Sequence, residues 1–313
     1  MDLAPSSAPA SSLAQRLEAA LSGAAFGPPV ARGLIRLTGR QRLAFLHRMS
    51  TQQVSSLQPG ESARLAFLDA KAKVLGEGTV VVRGDETLLD VDAAALPELL
   101  AHLRRYVLRD DVKLEPLDAE QRVVTLLGPR AADAARALAE RQTAWPSAGY
   151  GVPAWDAVLP LAGWEELRRT LGAALAVELT ADDLEVLRIL AGVPRWGAEV
   201  DPTRLVMETG LTGTAVSFEK GCYLGQEIVL RGTFRGQIQR GLVQLDLPAG
   251  AGPGARLRAG EAEVGVVTSA AEAPTGRVGL GYLRRAHWTT GTRLATDGGE
   301  AVVRRVLVTE KDR

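Results

Sequence analysis

The sequence predicts an α+β protein of more than one domain that ends in a small all-β unit. Three observations carry this. The chain has 313 residues, more than a single hydrophobic core comfortably organises. Before residue 237, strand and helix patterns alternate, first as a β-meander and then as strand-helix-strand-helix, the grammar of α+β domains. From Arg240 onward the texture changes to short β runs separated by Gly, Pro and Asp, which indicates a barrel or sandwich of about six strands.

The elements follow in order. Residues 1–29 are rich in Ala, Ser and Pro, with one short helical stretch at 13–21, and are expected to form a mobile arm. The run ARGLIRLTG leads a strand through Leu34 and Ile35 into Gly39. In RQRLAFLHRMSTQQVSSL, Leu43, Leu46 and Met49 recur at helical spacing beside Phe45. PGES turns the chain, and ARLAFLDAKAKVLGEGTVVVRGDETLLDVD reads as antiparallel strands joined by Lys-Ala-Lys and Gly-Asp turns. AALPELLAHLRRYVL is an amphipathic helix with Leu96, Leu99, Leu100, Leu103 and Val107 on one side. A strand at 123–127, a helix at 130–142, a strand around 155–159 and a helix at 164–172 come next. Thr180 N-caps a further helix, with Asp182 and Asp183 at the positive end of its dipole. Gly192 and Pro194 stop it. GLVQLDL, AEVGVVTSA, RVGLGYLRR and EAVVRRVLV are the main runs of the terminal β region.

Composition narrows the function class. Charged residues make up 24% of the chain and the formal net charge is zero, so neither a polybasic nucleic-acid binder nor a membrane-surface protein is indicated. No direct nucleic-acid partner is expected. No run approaches the roughly 18 apolar residues of a membrane span. The opening MDLAPSSAPASSLAQRLEAA lacks the basic region and apolar core of a signal peptide, so a cytoplasmic protein is expected. His47, His102 and His287 are scattered without metal-ligand spacing. With one cysteine the chain forms no internal disulfide.

That cysteine stands in FEKGCYLGQEIVLRG, two residues after Lys220, one of only five lysines. A thiolate is favoured beside cations, and Lys220, Arg231 and Arg235 are near in sequence. Gly221 and Gly225 permit tight turns with open amides. Gln226 and Glu227 present hydrogen-bonding groups suited to the loop itself or to a heterocyclic ligand. These features describe an exposed, electropositive thiol at Cys222. A lone cysteine is also a common small core residue, and spacing alone leaves both readings open.

The stretch KGCYLGQE resembles the signature of the YgfZ-type proteins, relatives of the glycine-cleavage T-protein that act in iron–sulfur cluster maturation. It matches at Lys220, Gly221, Cys222, Tyr223, Gly225, Gln226 and Glu227, followed by Arg231 and by FRG at 234–236. Further similarity comes in order from LIRLTG, FLHRMSTQQVSSLQPGE, FLDAKAKVL, LLAHLRRYVLRDDVKL, LRILAGVP, METGL and EVGVVTSA, so it spans about residues 32–308. The resemblance implies interleaved folate-binding, T-protein-like α+β domains over 30–236, the second at about 120–178, and a C-terminal β-barrel over 237–313. It implies tetrahydrofolate or a derivative in a central channel. It also implies support of iron–sulfur enzymes, including those that thiolate tRNA, through iron–sulfur carrier or client proteins.

Carried onto this chain, the resemblance makes Cys222 the functional residue, as thiol or as metal ligand to a transient iron–sulfur cluster, with Lys220 as its electrostatic partner. Tyr223, Gln226, Glu227, Arg231, Glu208 and Arg188 are the expected cofactor-binding residues. Because such clusters usually take four ligands, a partner protein, a second copy or glutathione would complete the site.

Four positions depart from the pattern. Ala72 stands where the Lys-Gly-Lys turn usually has glycine, Gln41 where aspartate is common, and Val206 where proline is common. Leu190 stands where many T-protein relatives carry a folate-binding glutamate. The stacking aromatics of some relatives have no equivalent at Arg32 or Leu184, leaving Trp196 or Tyr106 as possible faces. The competing reading is a tetrahydrofolate-dependent aminomethyltransferase. It needs a carboxylate to manage the departing ammonia, and of the T-protein's acidic pair only Glu77, beside Gly76, remains. A cysteine-dependent hydrolase or redox sensor is a third reading; it needs a general base near Cys222.

Overall fold

A computed structural model describes residues 11–117, 119–139, 143–173, 176–234 and 238–308. Helix α1 (Leu13–Ser22) and the short strand β1 (Ala25–Phe26) come first. They are followed by β2 (Gly33–Thr38), α2 (Arg42–Met49), β3 (Ser62–Leu68), β4 (Val74–Arg83) and β5 (Glu86–Val91). Helix α3 (Leu96–Arg105) and β6 (Lys113–Pro116) complete this part. Strands β2 to β6 form an antiparallel sheet in the order β3-β4-β5-β2-β6. Side chains alternate across its faces. Ile35, Leu37, Leu65, Phe67, Val80 and Leu89 point one way, against Phe45 and Leu46 of α2 and Leu99 and Leu103 of α3.

The second sheet uses β7 (Gln121–Leu127), β8 (Thr143–Ser147), β9 (Ala154–Pro160) and β10 (Val177–Glu178), with α4 (Ala131–Ala139) and α5 (Trp164–Ala173) packed beside it. Its order is β10-β1-β7-β9-β8. The other face of the first sheet, at Leu34, Val81 and Leu88, packs on Val123, Trp145 and Val158 of this one. Burying each such side chain contributes roughly 1.5–3 kcal/mol, so this apolar strip holds the two sheets face to face.

Strand β1 lies inside the second sheet, parallel to β10 and antiparallel to β7. The mobile arm expected over 1–29 is therefore corrected from Ser12 onward, while residues 1–10 lie outside the described ones. Ser12 caps α1 through a reciprocal capping box. Leu17 and Ala20 bury into a cluster with Leu184 and Leu187, and Arg16 Nε meets Asp183 at 2.7 Å. The helical stretch expected at 13–21 is present as α1, but capped and docked on the fold instead of carried in a mobile arm.

Helix α6 (Ala181–Ala191) carries the predicted Thr180 cap and ends at Gly192 in the left-handed conformation, φ 76°. Two shorter helices, α7 (Thr212–Ala215) and α8 (Gln226–Phe234), lead to the terminal unit. There β11 (Arg240–Asp246), β12 (Arg256–Ala259), β13 (Ala262–Ala273), β14 (Gly276–Arg284), β15 (Arg293–Thr296) and β16 (Gly299–Val306) form a closed barrel. Its order is β11-β14-β13-β12-β15-β16.

The barrel is welded to the rest of the chain through Glu199, which is fully buried. Its carboxylate accepts from Arg188 Nη1 at 3.0 Å, Ser269 Oγ at 2.6 Å and Thr268 Oγ1 at 2.7 Å. Its main-chain oxygen accepts from Tyr282 Oη at 2.7 Å. A buried charge satisfied on every side is tolerated; the same charge with one partner removed is not. No helix among the described residues is long and apolar enough to cross a membrane.

Candidate functional site

Two residues along from the apolar strip, the same two sheet faces become charged. Arg32 follows the parity of Leu34, Asp90 that of Leu88, Thr79 and Glu77 that of Val81, Thr125 that of Val123, and Asp156 that of Val158. Together with Arg64, Ser147, Tyr150, Arg188, Arg195 and Trp196 they line a cavity of 540 Å³ between the sheets. The volume falls within the ordinary range for small-molecule sites, about 300–1,000 Å³.

The cavity's charges are paired. Arg32 Nε donates to Asp90 at 2.8 Å, and Arg64 Nη2 donates to Glu77 at 2.9 Å. Thr125 Oγ1 donates to Asp156 at 2.6 Å. Burial pushes the Asp90 carboxyl up to about 6, even though Arg32 opposes the shift and Asp156 and Glu77 add to it. Burial likewise raises Asp156, against its hydrogen bonds from Thr125 and Ser147. The Tyr150 phenol is pushed up to about 12 by burial and then by Asp156. For Arg32, burial works downward, but Asp90 wins and the guanidinium stays charged. The result is a polar chamber with acceptor-rich carboxylates deep inside and Arg195 half exposed at its margin. Such a chamber suits a ligand with an amide- and amine-bearing ring.

The signature loop lies apart from this chamber. Cys222 is exposed, as expected, and none of residues 218–232 lines the cavity. Lys220 makes its amine hydrogen bonds away from the thiol. Its side chain is buried, and Nζ donates to the main-chain oxygens of His47, Ser50 at 2.6 Å and Gln52 at 3.0 Å. These carbonyls lie at and just beyond the C-terminus of α2, where a cation is favoured by the helix dipole. Burial lowers the amine to about 8. The same burial, with the Lys220 charge, lowers His47. Nζ also lies 5.1 Å from the Tyr223 ring centroid.

Of the expected cofactor-binding residues, Arg188 alone lines the cavity, and its guanidinium is held by Glu185, Glu199, Ser269 and the Val193 oxygen. Tyr223 is a core residue, packed with Met207, Val229 and Ile238, and burial raises its phenol to about 12. Gln226, Glu227 and Arg231 belong to α8, where Glu227 and Arg231 pair at 2.8 Å in solvent. Glu208 is buried and takes Arg240 Nε at 3.0 Å. Trp196 lines the chamber, whereas Tyr106 does not. Arg235 and Gly236 lie outside the described residues.

Gly225 explains the turn that precedes α8. Its φ is 83°, and a Cβ there would stand 2.6 Å from the Asp69 carbonyl oxygen, which no side chain tolerates. The signature loop thus rests on the Lys-Ala-Lys turn, itself organised by Asp69 Oδ1 accepting from the amides of Lys71 and Lys73. Ala72 in that turn has φ 61°. The departure from glycine therefore falls on a left-handed position, and Ala72 carries strain that glycine would not.

Among the described residues no group of three His, Cys, Asp or Glu side chains is placed to hold a metal. As a cluster ligand Cys222 would need donors from elsewhere.

Comparison with known proteins agrees with this architecture. Residues 31–152 match the GCVT N-terminal domain. The chain is 27% identical to an iron–sulfur cluster assembly factor IBA57 homolog, mitochondrial, of Phaeosphaeria nodorum, over 86% of this chain and 72% of that protein. It is 29% identical to the tRNA-modifying protein YgfZ of Yersinia pestis, over 68% of each. The chain spans 63% of the length of the first curated relative it matches. The glycine cleavage system aminomethyltransferase T from Bartonella henselae has the same fold, with a TM-score of 0.82 and 22% identity over 96% of this chain and 90% of that one.

Proposed function

From its likeness to the GCVT N-terminal domain and to the YgfZ and IBA57 relatives, we propose that the chain is a YgfZ-type, T-protein-like protein, a folate-binding accessory protein of iron–sulfur cluster assembly or repair. The observation that carries this reading is the charged chamber between the two sheets of a T-protein-like fold. Reduced folates pair a ring rich in N–H donors with an aromatic linker and carboxylates. Asp90 and Asp156 are acceptors for the first, Trp196 and Tyr150 offer faces for the second, and Arg195 is a cation for the third. The residues present fit the group.

In this reading Cys222 is the working thiol, exposed for a partner, and the cluster is cargo that it ligates transiently with donors from an iron–sulfur carrier or client protein. Enzymes that thiolate tRNA are the proposed clients. Binding without turnover is favoured over aminomethyl transfer because Glu77, the carboxylate left from the transferase pair, is already engaged by Arg64.

Calorimetry with 5-formyltetrahydrofolate tests the chamber: saturable binding to the wild type is expected, with a loss of about tenfold or more in Asp90→Asn, as one charge-assisted acceptor is worth roughly 1.5–3 kcal/mol. Cells lacking their own YgfZ-type protein test the thiol: the wild type should restore iron–sulfur enzyme activity and Cys222→Ala should not. Full rescue by Cys222→Ala would remove the thiol from the mechanism.

A further inference from the structure

The segment Ser50–Gln52 touches both halves of the site. Toward the chamber, Thr51 N donates to Ala66 O at 2.9 Å, beside β3, whose Ser62, Ala63 and Arg64 form part of the chamber wall. Gln52 Nε2 donates to the main-chain oxygen of Thr214, another lining residue, at 3.4 Å, and Thr51 Oγ1 donates to Ala215 O at 2.6 Å. Toward the thiol loop, Ser217 N donates to Thr51 O at 2.9 Å, and Lys220 Nζ donates to the oxygens of Ser50 and Gln52. Ser50 and Thr51 are fully enclosed.

We propose that Lys220 is a positioning residue, an ammonium latch that fixes the Cys222 loop to the Ser50–Gln52 segment bordering the chamber, so that filling the chamber and reacting the thiol are coupled. The inference rests on the proposed function for the ligand, and it assigns Lys220 a role different from thiol activation. Three carbonyl acceptors around one buried amine account for its donors, and none of its hydrogen bonds goes to Cys222. A charge spent in this way stiffens the loop by geometry. The coupling path is short and made of named hydrogen bonds, and Gln52 is the residue that bonds to both ends.

Because Cys222 is the sole cysteine, alkylation by iodoacetamide reads the loop directly in the full chain. In ligand-free Lys220→Met the rate should rise by about threefold or more as the loop opens locally, with the pH of half-maximal reaction unchanged. An activating amine predicts the opposite: a slower reaction and a midpoint moved to higher pH, and that result would overturn the proposal. With 5-formyltetrahydrofolate the wild-type rate should change by about twofold or more, and the change should vanish in Lys220→Met and in Gln52→Ala, in line with a small coupling free energy.

Gln52→Ala removes the side-chain link to Thr214, together with the Oε1 acceptor of the Gln53 amide, and serves if Lys220→Met fails to fold. Binding heat without any change in the wild-type alkylation rate refutes the coupling and leaves the folate reading intact. Absence of binding heat refutes the folate reading and the coupling together, while the ligand-free rates still judge the latch.

Discussion

The signature loop and the inter-sheet chamber are built on opposite plans. The loop is one contiguous stretch whose few special residues, Lys220, Cys222 and Gly225, each have a single geometric task. The chamber is assembled from single residues on several strands and loops, none of them unusual where it stands. In the loop, charge is consumed by main-chain carbonyls, and the Cys222 thiol is left in solvent. In the chamber, charge is consumed by neighbouring charge, and the pairs are left facing an open volume. In the proposed reading, the contiguous motif positions a group for an outside partner, and the dispersed set of paired charges recognises a molecule that enters.

Four measurements would break or sharpen this contrast. The largest effect is expected from Arg32→Ala, which strands the buried Asp90 carboxylate: a stability loss of about 3 kcal/mol by urea denaturation, whereas less than half of that would mean that the pair is hydrated and the chamber wetter than drawn. Next comes pH. Asp90 titrates at about 6 in the folded chain against an ordinary 3.8, so its stabilising contribution is complete below pH 3.8 and is lost as pH rises through 6. Comparing the wild type with Asp90→Asn between pH 4 and 7, the wild type should lose roughly 2–3 kcal/mol more as the pH rises. Parallel curves would show that the carboxyl is not desolvated.

On the loop side, Gly225→Ala meets both a left-handed φ and the Asp69 oxygen. A loss of about 2 kcal/mol is expected, with faster alkylation of Cys222, and a neutral result would show that the loop does not rest on the Lys-Ala-Lys turn. The smallest effect is Ala72→Gly. Relief of a left-handed alanine is worth about 1–2 kcal/mol, offset by a lost buried methyl and added chain entropy of about 1 kcal/mol. The melting temperature should therefore rise slightly. A fall would mean that the methyl packing of Ala72 outweighs its backbone strain.

What the sequence made legible follows the same division. Helix α6 was readable because Thr180, Asp183 and Gly192 act locally, through capping and a left-handed stop. The barrel was readable because turn residues punctuate it, although closure itself depends on pairing between β11 and β16. The exposure of Cys222 agreed with its glycine-rich surroundings. The destination of the Lys220 amine was hidden, since its acceptors lie some 170 positions earlier. Strand β8 was missed because Pro146 interrupts it, which only an edge strand permits. The site residues Arg32, Arg64, Glu77, Asp90 and Asp156 look like ordinary solvent-facing members of alternating strands. Nothing local says that a second sheet covers that face. The one available signal was parity with Leu34, Val81, Leu88, Val123 and Val158, apolar where a solvated face would be polar.

Closure of the terminal barrel has a consequence for how other molecules can dock. A sheet rolled until its first and last strands pair has no free first or last strand for another chain to extend. Side chains and loop tips are then the main groups that this barrel offers for contact, and they can vary while the cylinder beneath them stays unchanged.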